Sequence, residues 1–89
     1  MSPLISVIMS VYNDVNNLTY SINSVLNQEF KDFEFLIMND GSTDESSDIL
    51  DSYSSDKRIK LFKNKENIGL TKSLNMLLNE SKGTYIARQ

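Results

Sequence analysis

Apolar residues along the chain follow two alternating rhythms. Leu4-Ile5-Ser6-Val7-Ile8-Met9-Ser10-Val11 is a short run rich in β-branched side chains, with Pro3 just before it. Such near-continuous hydrophobicity predicts a strand covered on both faces, as in a parallel sheet. From Asn13-Asp14, both good helix-capping residues, the spacing changes: Val15, Leu18, Ile22, Val25 and Leu26 lie along one stripe of an α-helix. The alternation then repeats. Phe33 to Met38 predicts a second strand, broken by Gly41. Ser42 and Glu45 have capping-box spacing, and Ile49, Leu50 and Tyr53 give the next helix a modest apolar face. Arg58 to Phe62 predicts a third, short strand, and Lys63 to Asn67 a polar loop leading to Gly69. Leu70, Leu74, Leu77 and Leu78 mark a third helix that Gly83 can terminate, and Thr84 to Ala87 predicts a fourth strand.

The resulting order is β-α-β-α-β-α-β. A helical crossover between successive strands makes them parallel with right-handed connections. The predicted class is α/β: a Rossmann-like parallel sheet with helices on both faces. The length, 89 residues, allows one domain spanning 1–89.

Composition narrows the function. Hydrophobic residues at 39% and charged residues at 24% are those of a globular domain rather than a disordered chain. A net charge of -3 with no basic block argues against nucleic acid, whose binding depends on Lys/Arg contacts to phosphates, and against a patch drawn to anionic lipid. The absence of cysteine and histidine removes disulfides, thiolate metal sites and the commonest general base. The run from Leu4 to Tyr12 is too short to span a membrane and lacks the layout of a signal peptide, so the cytoplasm is the expected location.

Open parallel sheets bind ligands outside the carboxyl ends of their strands. Two polar clusters fall there: Ser10-Val11-Tyr12-Asn13-Asp14 after the first strand and Asn39-Asp40-Gly41-Ser42-Thr43-Asp44 after the second. If the two strands are neighbours, both clusters face one pocket. Tyr12 can stack on a flat base, and Asp40 can accept a hydrogen bond from a ring N–H such as that of uracil. Taken singly, each residue also has a plainer reading. Tyr12 can be an edge aromatic, Asp14 a helix cap, Asp40-Gly41-Ser42 a loop and cap, and Asn67 and Gly69 turn residues. Lys72 lies in the first turn of its helix, where the dipole does not favour a cation. No G-x-G-x-x-G follows the first strand and no P-loop motif occurs, which excludes those two phosphate sites.

Together the clusters form a pattern. Ile5 to Asn13, Ser24-Val25-Leu26-Asn27-Gln28, Phe33 to Ile37, Asn39 to Asp44, Asn67-Ile68-Gly69-Leu70 and Lys82 to Ala87 follow one another in an order and spacing that resembles the N-terminal, nucleotide-binding half of a family 2 glycosyltransferase with the GT-A fold. The resemblance implies inverting transfer of a sugar from a nucleotide diphosphate sugar, commonly a UDP-sugar, to a hydroxyl acceptor in polysaccharide or glycolipid synthesis, in a bacterial-type enzyme. It implies that Ser10, Val11, Tyr12 and Asn13 line the uridine pocket and that Asp40 holds the uracil edge. The basic residue that approaches the diphosphate in the family is matched here by Leu74, and Lys72 is the nearby substitute. Asn39 stands where an aspartate is common, and Ser10 where a proline often sits.

The family's D-x-D element, whose carboxylates bind Mn²⁺ or Mg²⁺, is expected just beyond Gln89, and its catalytic base further on. The resemblance therefore implies a fragment without a catalytic residue or bound metal, inactive alone. The full-length protein would be cytoplasmic, peripheral at the inner face of the membrane, with a glycan or glycolipid acceptor. The outer edge of the fourth strand is expected to be exposed and to favour self-association. The alternative is a non-catalytic doubly wound α/β binding or interaction domain.

Overall fold

A computed structural model describes residues 2–89. The chain forms β1 (Ile5–Val11), α1 (Val15–Leu26), β2 (Phe33–Asp40), α2 (Ser46–Asp51), β3 (Ile59–Asn64), α3 (Leu70–Glu80) and β4 (Tyr85–Arg88). The four strands form one parallel sheet in the order β3-β2-β1-β4. The chain steps outward from β1 to β2 to β3 and then returns to the far side of β1, so the strand order reverses between β1 and β4.

Strand alternation sorts the apolar residues into two layers. Val7, Met9 and Val11 of β1 and Phe33, Phe35 and Ile37 of β2 meet Leu18, Ile22 and Val25 of α1 and Leu50 of α2 on one face. Ile8, Leu36 and Met38 point the other way and meet Leu77 of α3, with Leu74 and Phe62 packed beside them. This is why β1 and β2 read as continuous hydrophobic runs: both of their faces are covered. Burying each such side chain contributes roughly 1.5–3 kcal/mol.

Coverage is uneven. α3 alone lies on the second face and turns Ser73 and Leu77 fully inward, whereas Leu70 and Leu78 of the predicted stripe are exposed. β4 is exposed along its whole length. Gly83 does not end α3 either. The helix stops at Glu80, where the Ser81 hydroxyl donates to the Leu77 carbonyl at 2.7 Å, and Gly83 lies against β1 with its N–H donated to Ser6 Oγ at 2.8 Å.

One charge sits inside this sheet. Glu34 accepts from the Ser6 hydroxyl at 2.5 Å, from Lys60 Nζ at 2.6 Å and from the Lys82 N–H at 2.7 Å. Burial acts to raise its pKa and is the largest single influence. The Lys60, Ser6 and Lys82 hydrogen bonds together outweigh it and hold the carboxyl below its ordinary range. The network ties the α3–β4 connection to β1 and β2 and so fixes where β4 docks.

Candidate functional site at the strand tips

Because all four strands are parallel, their carboxyl ends share one rim. The β1–α1, β2–α2 and β3–α3 loops meet there, and hydrogen bonds lock them together. Asn13 joins the first two. Its backbone is left-handed, with φ of 48°, a conformation asparagine tolerates better than most residues. Its Oδ1 accepts from the N–H groups of Thr43 at 2.7 Å and Asp44 at 3.3 Å, its Nδ2 donates to Thr43 Oγ1 at 3.2 Å, and its own N–H donates to Ser42 Oγ at 3.0 Å. The Asp14 N–H donates to Ser46 Oγ at 3.1 Å. The Ser42–Glu45 capping box predicted from spacing is therefore not formed. α2 begins at Ser46, because the Ser42 hydroxyl is used by Asn13. Asp44 accepts from the Ser46 N–H at 2.8 Å. Its carboxyl is held below the ordinary range, since bonds from Ser46 and Val15 outweigh the opposing effect of burial.

Alternation along β2 sends Asn39 and Asp40 to opposite faces. Asn39 turns to α2: its Nδ2 donates to Ser47 Oγ at 2.8 Å and its Oδ1 accepts from the Ser42 N–H at 3.0 Å. Asp40 turns to α3 and is only 2% exposed. Its Oδ1 accepts from the Ile68 N–H at 2.9 Å and from Asn64 Nδ2 at 3.0 Å, and its Oδ2 from the Gly69 N–H at 3.0 Å. Burial alone would raise its pKa, but the Ile68, Asn64, Gly69 and Ser73 donors prevail and keep the carboxyl low.

The expected site residues thus divide. Tyr12 lies at the rim with 49% of its surface exposed. The register pairs Val11 with Asn39, so Tyr12 follows opposite Asp40 and the two strand tips are adjacent. Ser10 is half-buried beneath it. Two placements differ from expectation. Val11 is buried in the core under α1, so its side chain cannot line a pocket. Asp40 lies beneath the Ile68–Gly69 turn with both oxygens engaged, so in this structure it does not present a free acceptor to a ring N–H. Lys72 is exposed on the first turn of α3, whereas Leu74 packs into the core. Asn64 and Ser73, which sequence reading did not single out, join Asp40 to β3 and α3. The one signal for them was a polar residue at the end of an apolar strand and another on an apolar helix stripe.

An open cleft of about 630 Å³ at this rim is lined by Val15, Thr43, Asp44 and Glu45, and its two acidic residues disfavour a phosphate there. Among the described residues no group of three or more Asp, Glu, His or Cys side chains converges to hold a metal ion, and no helix is long and apolar enough to cross a membrane.

The chain matches the model of the family described as Glycosyl transferase family 2 over residues 6–89. It is 44% identical over 87 residues to an uncharacterized glycosyltransferase of Haemophilus influenzae, covering 97% of this chain and 27% of that protein. Among solved structures, S. aureus TarS 1–349 in complex with UDP-GlcNAc superposes with a TM-score of 0.88 at 28% identity, covering 96% of this chain and 25% of TarS 1–349. The mannosyltransferase PcManGT of Pyrobaculum calidifontis, in complex with GDP-Man and Mn²⁺, superposes with a TM-score of 0.80 at 19% identity, covering 91% of this chain and 25% of PcManGT, a likeness of fold. The chain therefore spans about a quarter of the length of these proteins.

Proposed function

The chain belongs to glycosyl transferase family 2, and from that premise we propose that it is the donor-nucleotide-binding part of an inverting glycosyltransferase that moves a sugar from a UDP-sugar to a hydroxyl acceptor in polysaccharide or glycolipid synthesis. The observation that carries this reading is the half-exposed Tyr12 ring at the tip of β1, beside the tip of β2, in a fold shared with a protein solved with UDP-GlcNAc. The base stacks on Tyr12, with Ser10 and Asn13 flanking it. Asp40 belongs to the same site from below, and Lys72, on the helix whose amino end lies at this rim, meets the diphosphate. A divalent cation accompanies the donor, in line with the Mn²⁺ of the mannosyltransferase. Residues 2–89 supply no complete ligand set for it, so its ligands come from elsewhere in the full-length protein.

Calorimetric titration with UDP, GDP and ADP in the presence of Mn²⁺ tests the reading. UDP should bind in preference to the other two, and Tyr12→Ala should weaken it about tenfold, the worth of one base–aromatic stack. Equal or absent binding of all three nucleotides would sink the reading and favour a non-catalytic interaction domain. The exposed β4 edge supports one further expectation, self-association by strand pairing. Light scattering should show mass rising with concentration, and Ala87→Pro should suppress the rise. A monodisperse monomer at high concentration would contradict it.

A further inference from the structure

We infer that Asp40 is a positioning residue that acts on the nucleotide through the β3–α3 turn rather than by touching it. The inference rests on the nucleotide-binding reading of the rim, and it changes what Asp40 does there. Three observations carry it. First, the carboxylate is covered: the Ile68 and Gly69 N–H groups each close on a different oxygen, and Asn64 reaches the same carboxylate from the end of β3. Second, Asn64 Nδ2 also donates to Ser73 Oγ at 3.3 Å, and Asn67 Nδ2 reaches the Asp40 carbonyl at 3.4 Å. One side chain therefore gathers the tip of β2, the tip of β3 and the first turn of α3. Third, the turn itself is shaped for this contact. Gly69 has φ of 100°, which L side chains rarely adopt, and Gly41 packs so closely on Glu66 and Asn67 that an added Cβ would lie 2.5 Å from the Asn67 nitrogen.

The consequence follows from the register. Tyr12 follows opposite Asp40, and the Ile68–Gly69 turn covers Asp40, so the surface beside the Tyr12 ring is the backbone of that turn. A base stacked on Tyr12 abuts the turn. The carboxylate sets the height and rigidity of that surface, and with them the direction in which α3 presents Lys72.

Amide spectra of the 89-residue chain, read together with UDP titrations, test this. In Asp40→Asn a single oxygen replaces two charged acceptors. The Ile68 and Gly69 amide protons should move upfield and exchange at least about tenfold faster, while the Phe35 and Ile37 amides in β2 keep their protection. Asn64→Ala keeps the carboxylate but removes one of its partners. If Asp40 acts through the turn, this variant should also loosen Ile68 and Gly69 and weaken UDP severalfold. A carboxylate that contacts the base would instead be freed by Asn64→Ala, and UDP binding would hold or tighten. That result, or unchanged Ile68 and Gly69 amides in Asp40→Asn, overturns the inference. If wild-type chain binds no UDP, the nucleotide reading falls, whereas the amide shifts and exchange rates still decide whether Asp40 holds the turn.

Discussion

Two glycines at the rim have positive φ for different reasons, and their substitution separates backbone strain from collision. Gly69 has φ of 100° with open space where a Cβ would go, so Gly69→Ala meets backbone strain alone, about 1–3 kcal/mol. Gly41 has φ of 73°, and its added Cβ would strike the backbone of Glu66 and Asn67, which cannot swing aside as a flexible side chain would. Gly41→Ala should therefore cost clearly more than Gly69→Ala in urea denaturation, and equal losses would refute the distinction. At this scale the sequence was a partial guide. Gly41 and Gly69 were legible as turn residues. The partners of Asn13 and Asp40 were not, because each reaches residues 24 to 31 positions away, and spacing along the chain carries no information about which loops meet.

The two sheet faces predict different responses at the level of elements. Ile22 of α1 is fully buried between α1 and the sheet, so Ile22→Ala should destabilise by about 2–5 kcal/mol. Leu78 of α3 belongs to the same kind of sequence stripe but is exposed, and Leu78→Ala should change stability by no more than about 0.5 kcal/mol. Chemical denaturation of the two variants checks this, and comparable losses would mean that α3 is packed differently. The helices and strands were legible because period and burial agree, except where one helix covers a broad face. α3 has neighbours only below it, so a four-leucine stripe is wider than the contact it makes. α2 was read as starting early because Ser42 and Glu45 have the right spacing, but a tertiary partner, Asn13, took the serine.

Across the whole molecule, several carboxylates stabilise the fold in their charged form. Glu34, Asp40 and Asp44 are held below the ordinary range by hydrogen bonds that outweigh burial, and Asp56 by the Arg58 side chain above all, at 3.0 Å. A pKa depressed in the folded state means that the unfolded chain binds protons first as pH falls. The stability these groups contribute is thus complete above about pH 5 and is lost as pH drops through about 4 and below. Thermal melts followed by circular dichroism should show the midpoint falling steeply over that window. In Glu34→Gln the melting midpoint should be lower near neutral pH and should fall less steeply in acid, and an unchanged slope would remove Glu34 from this account.

The sequence by itself determined the alternation of strands and helices, the parallel class and the rim at which polar residues gather. Those follow from local periodicity, which each segment carries alone. Only the tertiary structure decided that β4 lies beside β1, that Val11 faces the core and that Asp40 is covered by the Ile68–Gly69 turn. A carboxylate becomes a ligand contact or a buried clamp according to which N–H groups reach it first, and that is settled by the meeting of loops distant in sequence.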